Sequence, residues 1–215
     1  MNLNNLKKII IADATGQHLK LALCQDCKVV KKSTIQGQAL ECFFQALNEI
    51  CNTQTLAEVE AFFLCTGTGS ILGTRTASVG LSTISKFTNA KIFEYNCMEI
   101  ASYALAQKGE NKFSLFTPSR KGFVNILNFN SKIELLKEIK IDEIQSLAFE
   151  KKISLYQRDK TDAVFAQMQQ FKISEEEIAS TLFKHPELIT LCTETPDAKS
   201  LTEREYVKWK AQAHI

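Results

Sequence analysis

Proline and glycine are both scarce, at 3 and 8 of 215 residues, below the usual shares of roughly 5% and 7%. An excess of one charge is missing as well. Lys+Arg 26 against Asp+Glu 24 leaves a net +2, so charge alone points to neither nucleic acid nor a membrane surface. Long hydrophobic runs are absent; stretches such as Ile9-Ile10-Ile11-Ala12 are far too short to cross a bilayer. Met1–Lys8 has no signal-peptide anatomy, since its lysines precede a brief apolar strand. A cytoplasmic location is the expectation. Histidine is limited to His18, His185 and His214, no two of them at ligand spacing, so no metal site is expected. Seven cysteines stand at 24, 27, 42, 51, 65, 97 and 192, an odd and scattered set that reads as free thiols. Cys24-Gln25-Asp26-Cys27 is the sole C-x-x-C. It lacks a second pair or nearby histidines and reads as two thiols flanking a hairpin turn rather than as zinc or redox chemistry.

What remains is an ordinary globular chain, 45% hydrophobic and 23% charged, which excludes intrinsic disorder. Its length suits one sizeable domain or two small lobes. Three closely linked strands, over Lys8–Ala14, Gln17–Cys24 and Lys28–Ile35, form an antiparallel meander. Leu40, Phe43, Phe44, Leu47 and Ile50 then recur at helical spacing over Gln38–Cys51. Strands over Ala61–Cys65 and Lys91–Tyr95 alternate with helices over Ser70–Phe87 and Cys97–Gln107, the pattern of parallel strands with crossover helices. The order β-β-β-α-β-α-β-α predicts an α/β fold with a ribonuclease-H-like lobe of the actin and sugar-kinase superfamily over 1–108. A smaller, partly degenerate lobe is expected over 109–215. It opens with strands over Phe113–Thr117 and Gly122–Phe129 and turns mostly helical, over Ile141–Leu147, Thr161–Phe171 and Ser174–Phe183. Ser174-Glu175-Glu176-Glu177 has the form of a capping box. The polar tail Leu201–Ala213 is expected to pack in part. No internal repeat or low-complexity tract is visible.

Four of the eight glycines fall at 67, 69, 73 and 80. Gly67 and Gly69 permit a sharp strand-to-helix turn, and Ser70 is placed to cap the helix. Gly73, Ala77 and Gly80 leave one helix face almost without side chains. Two readings stand for the turn: an anion site at a helix start, or a tight turn preceding a close helix contact. It is not a Walker loop, because no Gly-Lys-Ser/Thr follows.

These residues resemble the bacterial TsaB family. Ile9-Ile10-Ile11-Ala12-Asp13-Ala14-Thr15 stands where the family has its opening strand, Ile-Leu-Ala-Ile-Asp-Thr-Ala/Ser. Cys65–Arg75 is similar to the family signature Gly-x-Gly-Pro-Gly-Ser-Phe-Thr-Gly-x-Arg, matching at Gly67, Gly69, Ser70, Gly73 and Arg75. It departs at Cys65, Thr68, Ile71 and Leu72. Leu115–Arg120 followed by Gly122-Phe123-Val124 resembles a family strand–turn–strand, with Ser119 in place of an aspartate.

The resemblance, which covers about residues 9–130, implies a non-catalytic dimerisation subunit of the tRNA threonylcarbamoyladenosine complex. Such a subunit pairs through its first two helices with the catalytic paralogue, or with itself when alone, and an ATPase subunit assists. It meets tRNA only through the complex and has no cofactor of its own, although a nucleotide at a subunit interface stays open. The partner surface is expected at Leu40, Phe43, Phe44, Leu47, Gly73, Thr76, Ala77, Gly80 and Ile84, where two adjacent phenylalanines lie beside a small-residue groove. The other reading of the same residues is internal core. Asp13, Thr15, Gly67, Gly69, Ser70 and Arg75 are the anion or nucleotide candidates. They would serve an alternative function, a small nucleotide-binding phosphotransferase, for which one carboxylate without a second metal ligand is thin equipment. No Ser-His-Asp or Cys-His arrangement stands out.

Overall fold

The computed structural model describes residues 3–37, 39–155 and 163–197. The chain opens with strands β1 (Lys8–Asp13), β2 (His18–Gln25) and β3 (Lys28–Gln36), then helices α1 (Ala39–Ile50) and α2 (Thr53–Ala57). Strand β4 (Ala61–Cys65), helix α3 (Ile71–Thr88), strand β5 (Lys91–Tyr95) and helix α4 (Cys97–Gln107) follow. Next come β6 (Lys112–Pro118), β7 (Phe123–Asn130), β8 (Ile133–Lys140), the short α5 (Ile144–Leu147), β9 (Lys152–Leu155) and β10 (Gln169–Phe171). Helix α6 (Glu175–Lys184) and strand β11 (Ile189–Leu191) end the described part.

The first sheet runs β11-β5-β4-β1-β2-β3. Strands β1 to β3 pair antiparallel, while β4 and β5 lie parallel to β1. This is the ribonuclease-H-like arrangement expected for the first lobe. The second sheet, read β8-β7-β6-β9-β10, repeats it: three antiparallel strands, then two parallel to the first. The molecule therefore contains the same topology twice, although no repeat is visible in the sequence. Among the described residues, the short α5 stands in the second copy where the first has the longer α1. Residues 189–191 return to the edge of the first sheet beside β5, so a boundary at 108/109 does not separate the two sheets.

Both faces of each sheet are covered, so central strands read as unbroken apolar runs. Ile9, Ile11, Ala61 and Phe63 face a core shared with α4, α6 and the second sheet. Ile10, Ala12, Phe62 and Leu64 face the opposite core with α1 and α3. A third, smaller core lies on the far side of the second sheet around Phe116, Ile126 and Phe165. The layers run α1/α3, first sheet, α4/α6, second sheet, α5.

The mostly helical reading of the second lobe needs correction. Ile133–Lys140 is rich in Glu, Leu and Lys, yet it is strand β8, because pairing to β7 outweighs helix propensity. Its lysines suit an exposed sheet edge. The described part of Thr161–Phe171 holds a 3₁₀ turn at Ala163–Phe165 and strand β10, with no helix. The tail Leu201–Ala213 lies outside the described residues.

Local signals elsewhere hold. Asp26 and Cys27 have φ of 48° and 64°, a two-residue hairpin turn between β2 and β3. Burial, then the neighbouring Cys27 and Glu176, pushes the Cys24 thiol up to about 12, which makes it a poor nucleophile. All seven cysteines are free thiols. The capping box at α6 is complete: Glu177 N donates to Ser174 Oγ at 3.2 Å, and Ser174 N to Glu177 Oε2 at 2.8 Å. Ser174→Ala should destabilise the protein by about 1 kcal/mol, visible as a lower urea midpoint at unchanged slope.

Candidate functional site

The glycine turn is closed on its own chain. Gly69 has φ of +149°, and a Cβ there would lie 2.3 Å from the Thr15 carbonyl oxygen. Ser70 N donates to that same oxygen at 2.7 Å. Ser70 Oγ caps α3 by accepting from Gly73 N at 3.1 Å. A Cβ on Gly67 would lie 3.0 Å from Cys97 N, at the start of α4. These glycines let residues 66–70 sit flat against the first hairpin and α4, so the turn reads as close packing. Arg75 is on the surface and pairs with Asp197, Nε to Oδ1 at 2.8 Å. It does not join Asp13 and the turn in one anion site, which corrects that grouping.

Asp13, at the end of β1, accepts from Thr15 N at 2.9 Å and Thr15 Oγ1 at 2.6 Å. This fixes the strand-to-hairpin turn. Asp13 also stands on the wall of a cleft of about 220 Å³ between the two lobes. The first hairpin gives the cleft Thr15, Gly16, Gln17, His18 and Lys20, and β5 and α4 give Tyr95, Cys97 and Ile100. Leu155, Lys172, Ile173 and Ile178 close the far side. Burial pushes the Tyr95 phenol and, beside it, the Cys65 thiol well above their ordinary values. No group of three His, Cys, Asp or Glu able to hold a metal occurs among the described residues.

A buried hydroxyl network ties the lobes together behind the glycine turn. Thr68 Oγ1 and Thr117 Oγ1 are 3.1 Å apart, and Asn125 Nδ2 donates to Thr117 Oγ1 at 3.1 Å. Thr117→Val removes the shared hydroxyl from a dry site. It should destabilise the protein by about 1–3 kcal/mol, a loss that thermal unfolding of the variant measures.

The outer layer carries the other notable surface. The small-residue face of α3 points inward, contrary to the expectation of an open groove. Ala77, Leu47 and Ile84 are buried in the core of the first lobe. A Cβ on Gly73 would lie 2.2 Å from the Ala14 carbonyl oxygen, and one on Gly80 would lie 2.5 Å from the Phe43 ring. Leu47, Gly73, Ala77 and Ile84 are therefore internal packing. Phe43 and Gly80 meet each other and form the floor of a shallow groove. Nothing is described of the Leu40 side chain. Of the expected partner surface, Phe44 and Thr76 lie at the groove's rim, with Phe44 61% exposed.

Sequence reasoning missed the outward face. Leu72, Thr76, Val79, Thr83 and Phe87 follow one another at helical spacing along α3. Leu72, Val79 and Phe87 are 67%, 60% and 84% exposed. Phe44 lies alongside, its ring edge-on to Phe43 with centroids 5.4 Å apart. The Leu72–Phe87 spacing is a signal that the sequence contained.

Comparisons with known proteins bear on the fold. No family model matches the chain, and no curated protein matches it. Solved structures do. YeaZ from Pseudomonas aeruginosa superposes with a TM-score of 0.61 at 11% identity, covering 85% of this chain and 94% of that one. A protein described as uncharacterised, with similarity to peptidase YeaZ from Pseudomonas aeruginosa, superposes at 0.62 and 10% identity, covering 85% and 93%. At these identities the likeness shows a shared fold over 85% of this chain.

Proposed function

We propose that this chain is a TsaB-like, non-catalytic subunit of the tRNA threonylcarbamoyladenosine complex, pairing with the catalytic paralogue across α1 and α3. The observation that carries the reading is the apolar stripe Leu72–Val79–Phe87 with Phe44 beside it. Large exposed side chains in a row mark a contact surface rather than a solvated helix face, and aromatic anchors around a groove suit a helical partner. The superposition on YeaZ, the TsaB protein of its organism, supports it, as does the signature over residues 65–75. The subunit acts as a scaffold and meets tRNA and the ATPase subunit through its partner. Without that partner, a second copy takes its place on the stripe.

Mixing the purified chain with the catalytic paralogue of the same organism tests this. The expected result is one co-eluting complex, restored threonylcarbamoyl transfer, and no ATP turnover by the chain alone. Failure to co-elute, or ATP hydrolysis by the isolated chain that Asp13→Ala abolishes, would overturn the proposal in favour of a phosphotransferase.

A further inference from the structure

We propose that the cleft between the lobes is a binding site for a small zwitterion of the amino-acid class. It would be held by Asp13 at its ammonium end, Lys172 at its carboxylate end and the Tyr95 hydroxyl between them. This is independent of the scaffold role, since the cleft faces α4 and α6 and the apolar stripe lies on the other side of the first sheet.

Three observations carry it. The first is size. At about 220 Å³ the cleft falls below the roughly 300–1,000 Å³ of sites for drug-sized ligands. It suits a molecule smaller than a nucleotide. The second is the pattern of charge. Asp13 is held rigid because both Thr15 bonds fall on its Oδ1, leaving Oδ2 for a ligand. Lys172 stands on the opposite side, while Lys20 leans on Glu175 at 3.8 Å. Ile100, Leu155, Ile173 and Ile178 supply an apolar wall. Opposite charges across an apolar surface match a molecule with both charges and a hydrocarbon side chain.

The third observation is an orphaned group. Tyr95 is 2% exposed, and its hydroxyl has no hydrogen-bond partner. Buried hydroxyls are nearly always bonded, and one left alone needs a reason. Tyr95 lines the cleft at the carboxyl end of β5, where open α/β sheets place their ligands. A phenylalanine would fill the same space without the penalty, so the hydroxyl is explained by a partner that arrives with the ligand.

The test is thermal unfolding of the full chain with each common amino acid, with ATP and Mg²⁺, and with inorganic phosphate, all at about 10 mM. At least one apolar amino acid should raise Tm by about 3–6 °C at tenfold excess over its Kd, and its amide and N-acetyl derivatives should not. Calorimetry should show Tyr95→Phe binding about tenfold more weakly while its ligand-free Tm stays equal or rises. Lys172→Met, on an exposed side chain, should weaken binding without touching the fold. The proposal falls if no amino acid shifts Tm, if the shift survives both substitutions, or if ATP or phosphate alone stabilises the chain.

Discussion

Val79→Glu combined with Leu72→Glu should weaken pairing by about 30- to 4,000-fold. Both side chains stand more than half exposed on α3, so their replacement costs the isolated subunit almost nothing; exposed substitutions usually stay within about 0.5 kcal/mol. In the complex proposed above the same positions lie within the covered patch, where carboxylates lose water. An unpaired charge buried at an interface costs about 2–5 kcal/mol. Sedimentation of the doubly substituted chain, alone and with the catalytic paralogue, should show a folded monomer in both cases. Phe44→Ala should act in the same direction more weakly, because truncation removes contact area without introducing charge. An unchanged association constant in the double variant, with Tm also unchanged, would remove the stripe from the partner surface. The two readouts together separate loss of pairing from loss of folding.

The first lobe was legible because its elements announce themselves in local patterns. The alternation at Leu19, Leu21 and Leu23 and the helical spacing from Leu40 to Ile50 survive into β2 and α1 with ends within a residue or two. The second lobe was legible at β6, β7, α5 and α6 and not elsewhere. Its strands β9, β10 and the returning β11 are four, three and three residues long, too short to show a period. Strand β8 is built from residues that favour helix until β7 offers a ladder. The repeat of topology stayed hidden for a related reason: what recurs is the order of pairing, which many unrelated apolar sequences satisfy. On α3 the sequence showed a bare face but not what lies against it. Glycine and alanine mark a close approach equally well from within or without, and here Phe43 and Ala14 of the same chain make it. The cleft escaped notice because Asp13, Tyr95 and Lys172 come from three distant parts of the chain, and none belongs to a motif.

Gly73→Ala should be among the most damaging single-methyl changes in the molecule, and Gly80→Ala a milder one. Gly73 lies inside α3, where alanine gains about 1 kcal/mol of helix propensity. Against that stands the added Cβ, which would lie 2.2 Å from the Ala14 carbonyl oxygen. No side-chain rotation can relieve a clash with backbone. Relief requires moving α3 away from β1 or displacing the turn that Asp13 and Thr15 hold. Overpacking typically costs about 1–3 kcal/mol, and a backbone obstacle places this site at the upper end. The net loss should be about 2 kcal/mol, a Tm drop of about 4–8 °C for a chain of this size. At Gly80 the obstacle is the Phe43 ring at 2.5 Å, which can tilt toward the groove beside Phe44. The helix gain there offsets most of the strain, so Tm should fall by less than half as much. The tilted ring would instead reshape the groove floor, and pairing should weaken more than stability does. Calorimetric unfolding of both variants, beside their association constants, checks the contrast. A Gly73→Ala protein as stable as the parent would show that Ala14 and α3 are not held in this contact.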